Sequence, residues 1–434
     1  MSHSAARQAP DLSDASLVGT RLGGWGRLAA VVGVGCLATA VFLGWRSGDT
    51  GHLARVWLQN WLFGLAIALG GLFFVFVQHL THAGWSVAVR RPAEAIMSNL
   101  LWLWLGFLPF VAMYFSGKLS QLFPWFDLEA MRAHDPAEAA LVEAKTAYLN
   151  PQFFFIRAAA YMAVWVILAF TFWHHSVRQD VDGSVARTKF LERFAAPAAL
   201  LFGLSITFAA FDWIMSLSPA WFSTMFGVYF FAGCCTAGFS VIILVCLRLQ
   251  QLGYLKGVIT AEHYQDLGKM LFAFGIVFWA YIAFSQYMLI WYANIPEETG
   301  WYLARQLGGW GWMSLALLFG HFVIPFLFLV SRWTKRIKLW LAVGAVWMLL
   351  FSWIDLYWLV MPEIPPHLNQ YETYDQVAAK YGDTSTHLAD PVNWFMLVGI
   401  MGCVASFTIF RLREHPLLCR RDPRLAESLA FENM

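Results

Sequence analysis

The sequence predicts an all-α integral membrane protein of about ten transmembrane helices. Three observations lead there. Hydrophobic residues make up 59% of the 434-residue chain. Charged residues make up 13%, against roughly 25% in soluble domains. The apolar residues also fall in blocks of about 20, the length that crosses a hydrocarbon core of about 30 Å. A water-soluble chain of this composition would expose large apolar patches and aggregate. The formal net charge of +2 is too small for a nucleic-acid-binding surface. The 23 tryptophans suit both headgroup-level belts and dense helix packing.

The blocks read as spans at approximately 27–45, 56–79, 95–115, 152–173, 195–217, 226–247, 270–293, 310–331, 338–360 and 393–411. Spans two to five and six to nine are expected to form two four-helix up-and-down bundles, flanked by spans one and ten. Residues 1–26 read as a polar cytoplasmic segment rather than a cleavable signal, because too much polar chain precedes the first apolar run. Residues 27–411 form the membrane domain, and residues 412–434 a basic cytoplasmic tail. No short-period repeat is visible.

Basic residues set the expected orientation. With the termini on the same side as the loops after spans two, four, six and eight, that side holds 21 of the 29 Lys and Arg. The positive-inside rule makes that side cytoplasmic. Two loops on the opposite side are long, 116–151 and 361–392. Both are acidic, with Asp127, Glu129, Asp135, Glu138 and Glu143 in the first and Glu363, Glu372, Asp375, Asp383 and Asp390 in the second. Loops of this length commonly carry function. They read either as a docking surface for an extramembrane partner or as a solvated lid over the helix ends.

The six cysteines are Cys36, Cys234, Cys235, Cys246, Cys403 and Cys419. None has CxxC or haem-attaching CxxCH spacing, so they read as small buried hydrophobes. Iron–sulfur or c-type haem chemistry would have to sit on other chains.

Ionisable residues at membrane depth are costly and mark functional sites by default. Asp212 lies toward the outer end of span five, on one stripe with Ser205 and Ser216. It reads as a proton-carrying group or as a hydrated structural aspartate. Asp355 in span nine, with Ser352 one turn earlier, has the same two readings. His321 is near the centre of span eight, with Ser314 seven residues earlier. It suits a proton relay or a hydrogen-bonded core position. Span two ends in QHLTH, with Gln78, His79 and His82 near the cytoplasmic mouth and Glu94 close by. These could gather protons or be ordinary interface residues. Tyr281 shares a stripe in span seven with Ser285, Met288 and Tyr292, which reads either as a water-ordering file or as a packing face. His174 and His175 are terminal while His321 is central, so a bis-histidine haem site is poorly matched. The expected proton route therefore runs from His79 and Glu94 through His321 to Asp212 and Asp355, bridged by Ser205 and Tyr281.

Four segments carry a family resemblance: YLNPQFFFIRAAAYMAVW (148–165), FDWIMSLSPAWFSTMFGVYFFAG (211–233), FWAYIAFSQYMLIWYANIPEET (278–299) and WIDLYWLVMPE (353–363). They resemble the F subunit of bacterial alternative complex III, a polysulphide-reductase NrfD-like membrane protein. The resemblance runs from about span two to span ten. It implies a ten-helix fold of two four-helix bundles in the bacterial cytoplasmic membrane. It also implies a quinol:electron-acceptor (cytochrome c) oxidoreductase with an iron–sulfur subunit, multihaem cytochrome c subunits and a second NrfD-like membrane subunit as partners. In that setting the chain supplies a proton-conducting path and a scaffold, with no covalently bound cofactor and with quinol bound by the complex. Asp212 lies within the matching FDW motif; His321 and Asp355 carry over more loosely. Two other readings remain open at this point, a quinol-binding anchor that itself forms the oxidation site and a stand-alone secondary transporter. For the latter, Pro109 and Pro325 do not fall in corresponding spans, as paired helix breaks in transporter repeats would.

The basic-residue bias predicts that cysteines introduced as Asp135→Cys and Ala378→Cys react with an impermeant thiol reagent added outside intact cells. Reaction only after permeabilisation would reverse the orientation.

Overall fold

The computed structural model describes residues 12–13, 19, 22–364 and 373–433. The first 11 residues, and with them most of the N-terminal segment, lie outside the described residues, as does Glu372 of the second long loop. Among the described residues the protein is 80% helical with no strands. Among these residues ten helices are long and apolar enough to cross a membrane: α1 Gly23–Ser47, α2 Thr50–Leu80, α3 Gly84–Phe115, α4 Pro151–Asp182, α5 Val185–Leu217, α6 Phe226–Gln251, α7 Ala261–Ala293, α8 Gly308–Leu329, α9 Lys338–Val360 and α10 Pro391–Glu414. It is a multi-pass membrane protein. The helices extend past the apolar blocks because their ends are capped. In α4, Asn150 accepts a hydrogen bond from the Phe153 N–H (2.9 Å), Pro151 occupies the first helical position, and Gly183 closes the far end at φ 65°.

The packing gives the expected pair of bundles. Helix α2 packs on α3 and α5, α3 on α4, and α4 on α5; the second ring closes likewise through α6–α7, α7–α8, α8–α9 and α9–α6. Helices α1 and α10 form a closely apposed pair against α2 and α3. The bundles join through α2 and α6, the two most enclosed helices, with 89% and 72% of their apolar windows buried. Van der Waals contact drives helix association in lipid, so close backbone approach matters. A Cβ on Gly70 would lie 2.1 Å from the Cys234 carbonyl oxygen, and one on Gly238 would lie 2.6 Å from the Gly70 Cα. Only glycine fits on both sides of this crossing.

Two departures from regular helix fall at mid-membrane. Residues Leu271–Phe278 of α7 and Leu318–Val323 of α8 wind as π-helix. These segments face each other inside the second bundle. A π-segment widens the turn and leaves carbonyls free for other partners, and it commonly accompanies a functional site.

The chain after α10 is packed rather than loose. It crosses the face that also carries the start of α1, referred to below as the tail face. Asp422 pairs with Arg90 on α3. Ser428 Oγ donates to the Trp85 carbonyl (2.7 Å) and accepts from the Ala88 N–H (3.1 Å). Asn433 Nδ2 donates to the Glu262 carbonyl on α7 (3.1 Å). The tail thus fastens the first bundle to the second. On the opposite face, the loop after α3 contains two short helices, Leu128–His134 and Pro136–Glu143, capped by Asp127 and Asp135.

Gly238→Val should destabilise the protein, since overpacking a close contact costs about 1–3 kcal/mol. Gly35→Ala meets no atom within 4 Å and serves as control. Thermal unfolding in detergent should show a lower midpoint for the first only; equal midpoints would mean that the α2–α6 crossing is not tight.

A buried carboxylate cluster as candidate functional site

The second bundle places one polar side chain from each of its four helices around a single point. Asp355, on α9, is 2% exposed. Its Oδ1 accepts from the Tyr229 hydroxyl of α6 at 2.6 Å, and its Oδ2 from the Trp279 indole N–H of α7 at 3.1 Å. The Trp279 indole stacks on the His321 imidazole of α8, centroids 3.8 Å apart and planes within 1°. His321 is fully buried, and its Nε2 lies 3.3 Å from the Gly275 carbonyl, in the π-helical stretch of α7. Gly275 O also accepts from Thr236 Oγ1 at 3.1 Å. The widened turn of α7 is therefore what presents this carbonyl to both side chains.

Among the described residues, no lysine or arginine forms an ion pair with Asp355. Its donors are a phenol and an indole, both neutral. A carboxylate held this way has two hydrogen bonds and no compensating charge, the arrangement in which uptake of a proton removes a buried charge. A buried cation of the same bundle lies between α7 and α8. Arg305, 2% exposed, donates from Nε to the Trp358 carbonyl (3.1 Å), from Nη1 to that of Trp301 (3.0 Å) and from Nη2 to that of Leu359 (2.9 Å). Its guanidinium stacks on Trp301 at 3.4 Å. Two of these carbonyls belong to the last turn of α9, where a cation is favoured by the helix dipole. Burial pushes the Arg305 pKa down to about 9, which leaves it charged at neutral pH.

Asp212 is built differently. It is fully buried, but Arg157 of α4 meets it in a two-pronged pair, Nε to Oδ2 at 2.8 Å and Nη2 to Oδ1 at 2.7 Å. The Tyr161 hydroxyl adds a third bond at 2.8 Å. Arg157 is fixed in turn by the Tyr148 carbonyl (2.8 Å) and by stacking on the Tyr148 ring at 3.8 Å. Asp212 is thus paired rather than the isolated carboxylate that the sequence suggested, and the forked guanidinium supplies its counter-charge. Ser205 is likewise spoken for: it accepts from the Trp165 indole (2.9 Å) and donates to the Phe202 carbonyl (3.1 Å).

The remaining expected residues separate by depth. Glu94 is fully buried at the tail face, where it accepts from Ser176 Oγ (2.9 Å) and lies 3.1 Å from Arg91 and 3.4 Å from Arg90. Arg91 also pairs with Asp180 of α4. His79 is buried and stacks on Phe172; its Nε2 has no hydrogen-bond partner among the described residues. Tyr281 does not line the interior. It is 63% exposed on the outer surface of α7, as are Met288 and Tyr292 of the same stripe, and this corrects its place on an internal route. The structure thus gathers His321 and Asp355 into one cluster and sets Asp212, Glu94 and His79 in others.

Sequence reasoning missed Tyr229, Trp279, Arg157 and Arg305. Arg157 carried a readable signal, a charge inside an apolar block. Tyr229 and Trp279 carried none beyond aromatic composition. Several loop acids have local partners: Asp127 and Asp135 cap helices, Glu143 pairs with Arg132, and Asp390 caps α10 and meets His52. Comparison with protein-family models and with curated proteins finds no match for this chain.

Breaking a buried ion pair from one side leaves an uncompensated charge and costs about 3–5 kcal/mol, whereas removing both partners is far milder. Arg157→Met and Asp212→Leu should each lower the thermal midpoint strongly, and the double variant should regain most of the loss. Additive losses in the double-mutant cycle would show that the pair is not coupled.

Proposed function

We propose that this protein is a membrane subunit of a quinol-oxidising respiratory complex of the alternative complex III class in the bacterial cytoplasmic membrane. In this reading both termini face the cytoplasm. The subunit provides a scaffold and a proton-conducting element, while haem and iron–sulfur centres reside on partner subunits. The partners are an iron–sulfur protein, multihaem cytochromes c and a second NrfD-like membrane protein. Support comes from the resemblance in segments 148–165, 211–233, 278–299 and 353–363 and from the basic bias of one face.

The observation that carries the proton role is Asp355, buried and bonded, among the described residues, to Tyr229 and Trp279 alone. A buried carboxylate without a cation is retained in a membrane interior chiefly where its proton is used. The mechanism follows from the geometry. Asp355 takes a proton and loses its charge; the Tyr229 hydroxyl, 2.6 Å away, is the group placed to pass it on. Trp279 holds the carboxylate and stacks on His321, so a change at either group is felt by the other. Glu94 and His79 supply polar groups near the tail face, and Asp212 with Arg157 acts as a fixed charge pair that anchors the first bundle.

Asp355→Asn preserves shape and one hydrogen-bond acceptor while removing the exchangeable proton. We expect the variant to assemble with its haem and iron–sulfur partners and to lose about a hundredfold or more in proton-coupled quinol oxidation, the low end of the range for a lost proton-transfer group. Unchanged turnover and proton translocation would remove Asp355 from the mechanism. Recovery of a haem-free protein with transport activity of its own would overturn the proposal altogether.

A further inference from the structure

A second polar feature lies far from the carboxylate cluster. On the tail face, where α6 ends and α7 and α9 begin, a cavity of about 240 Å³ is lined by Gln250, Lys256, Gly257, Thr260, Ala261 and Lys338. Lys256 and Lys338 come from different elements, and both are exposed. Neither pairs with a carboxylate among the described residues. The acids nearest in sequence are engaged elsewhere, Glu262 with Arg336 and Asp266 with Lys269. Lys338 Nζ donates one bond, to the neutral Gln250 Oε1 at 2.7 Å, which leaves two protons free. Gln250 is itself held in place by Nε2 bonds to the Leu255 and Ile259 carbonyls. Ala261, on the cavity wall, is the first residue of α7; a capping box between Thr260 and His263 occupies the Thr260 and His263 N–H groups, which leaves those of Ala261 and Glu262 without intrahelical acceptors at the positive end of the dipole. The cavity therefore combines two uncompensated cations with a donor-rich wall.

Its depth and surroundings select the ligand. The cavity sits at the level where three membrane helices start or stop, the headgroup level. From its edge an exposed apolar strip runs down α9 through Leu339, Val343, Val346 and Leu350, which are 67%, 46%, 56% and 45% exposed. These positions follow helical spacing, so they share one face. A soluble anion uses the lysines and ignores the strip; a lipid uses both. Basic pockets between membrane helices are a recurrent site for anionic lipid headgroups.

We propose that this cavity binds the phosphate of an anionic phospholipid headgroup between Lys256 and Lys338, with an acyl chain laid along the Leu339–Leu350 face of α9. The site is independent of the proton chemistry above.

The test uses the full chain, purified with any subunits that accompany it, in nanodiscs of phosphatidylcholine doped with phosphatidylglycerol. Bound phosphatidylglycerol is counted by native mass spectrometry at low salt. Each lysine at a charged lipid surface contributes about fivefold, so Lys256→Gln/Lys338→Gln should lower phosphatidylglycerol affinity roughly thirtyfold. Lys189→Gln, an exposed lysine beside the first bundle, should leave it unchanged. The single exposed change Lys256→Gln, expected to lose about fivefold, keeps the test available if the double variant folds poorly. Equal phosphatidylglycerol binding by wild type and variants would overturn the site. Displacement of phosphatidylglycerol from the wild type by millimolar inorganic phosphate would overturn the lipid assignment in favour of a soluble anion.

Discussion

Within a bilayer, a charge must find its partner inside the protein, and the organisation of this molecule follows from how each buried charge does so. Water is not there to compensate an ion, so an unpaired one costs several kcal/mol or takes up a proton. Three solutions coexist. Asp212 has the forked guanidinium of Arg157. Glu94 has Arg90 and Arg91, which are balanced in turn by Asp422 and Asp180. Asp355 has, among the described residues, only neutral donors. The first two fix structure. The third leaves a group with no ion pair to break, and this contrast is what sets the proposed role of Asp355 apart from the paired acids.

The bundle geometry is what makes the third solution available. A four-helix ring brings one residue from each helix to a common point, and here Tyr229, Trp279, His321 and Asp355 arrive from α6, α7, α8 and α9. The π-helical turns of α7 and α8 shift side-chain register at mid-membrane, so that the Gly275 carbonyl reaches His321 while Trp279 stacks on it. The ring is held against the first bundle by the glycine crossing of α2 and α6. Toward the end away from the tail, Gln59 and Asn60 of α2 bond to Trp353 of α9, at 3.2 and 2.9 Å, two positions from Asp355. At the other end the C-terminal tail binds both bundles. The cluster is thereby clamped from both faces.

Much of this was legible in the sequence, and the limits have physical causes. Membrane spans are set by length and hydropathy, which are local, so the span expected at 338–360 is the helix found at Lys338–Val360. The depths of Asp212, His321 and Asp355 follow from position within a span, and the two-bundle pairing from the order of the spans. Helical spacing shows which residues share a face but not where that face points. Tyr281, Met288 and Tyr292 do share a stripe, and it looks outward. Partners distant in sequence were beyond reach. Arg157 and Asp212 are 55 residues apart, Arg90 and Asp422 are 332 apart, and only packing unites them. The polar composition of the tail gave no sign that Asp422 and Ser428 would be buried.

The proposed proton role rests on Asp355 and not on Asp212. Infrared difference spectroscopy of the purified protein, stepped across pH, separates the two through carboxylic-acid bands assigned with Asp355→Asn and Asp212→Asn. The account predicts a band that grows and fades with pH in the wild type, persists in Asp212→Asn and is missing from Asp355→Asn. A band that is missing from Asp212→Asn and intact in Asp355→Asn would contradict it.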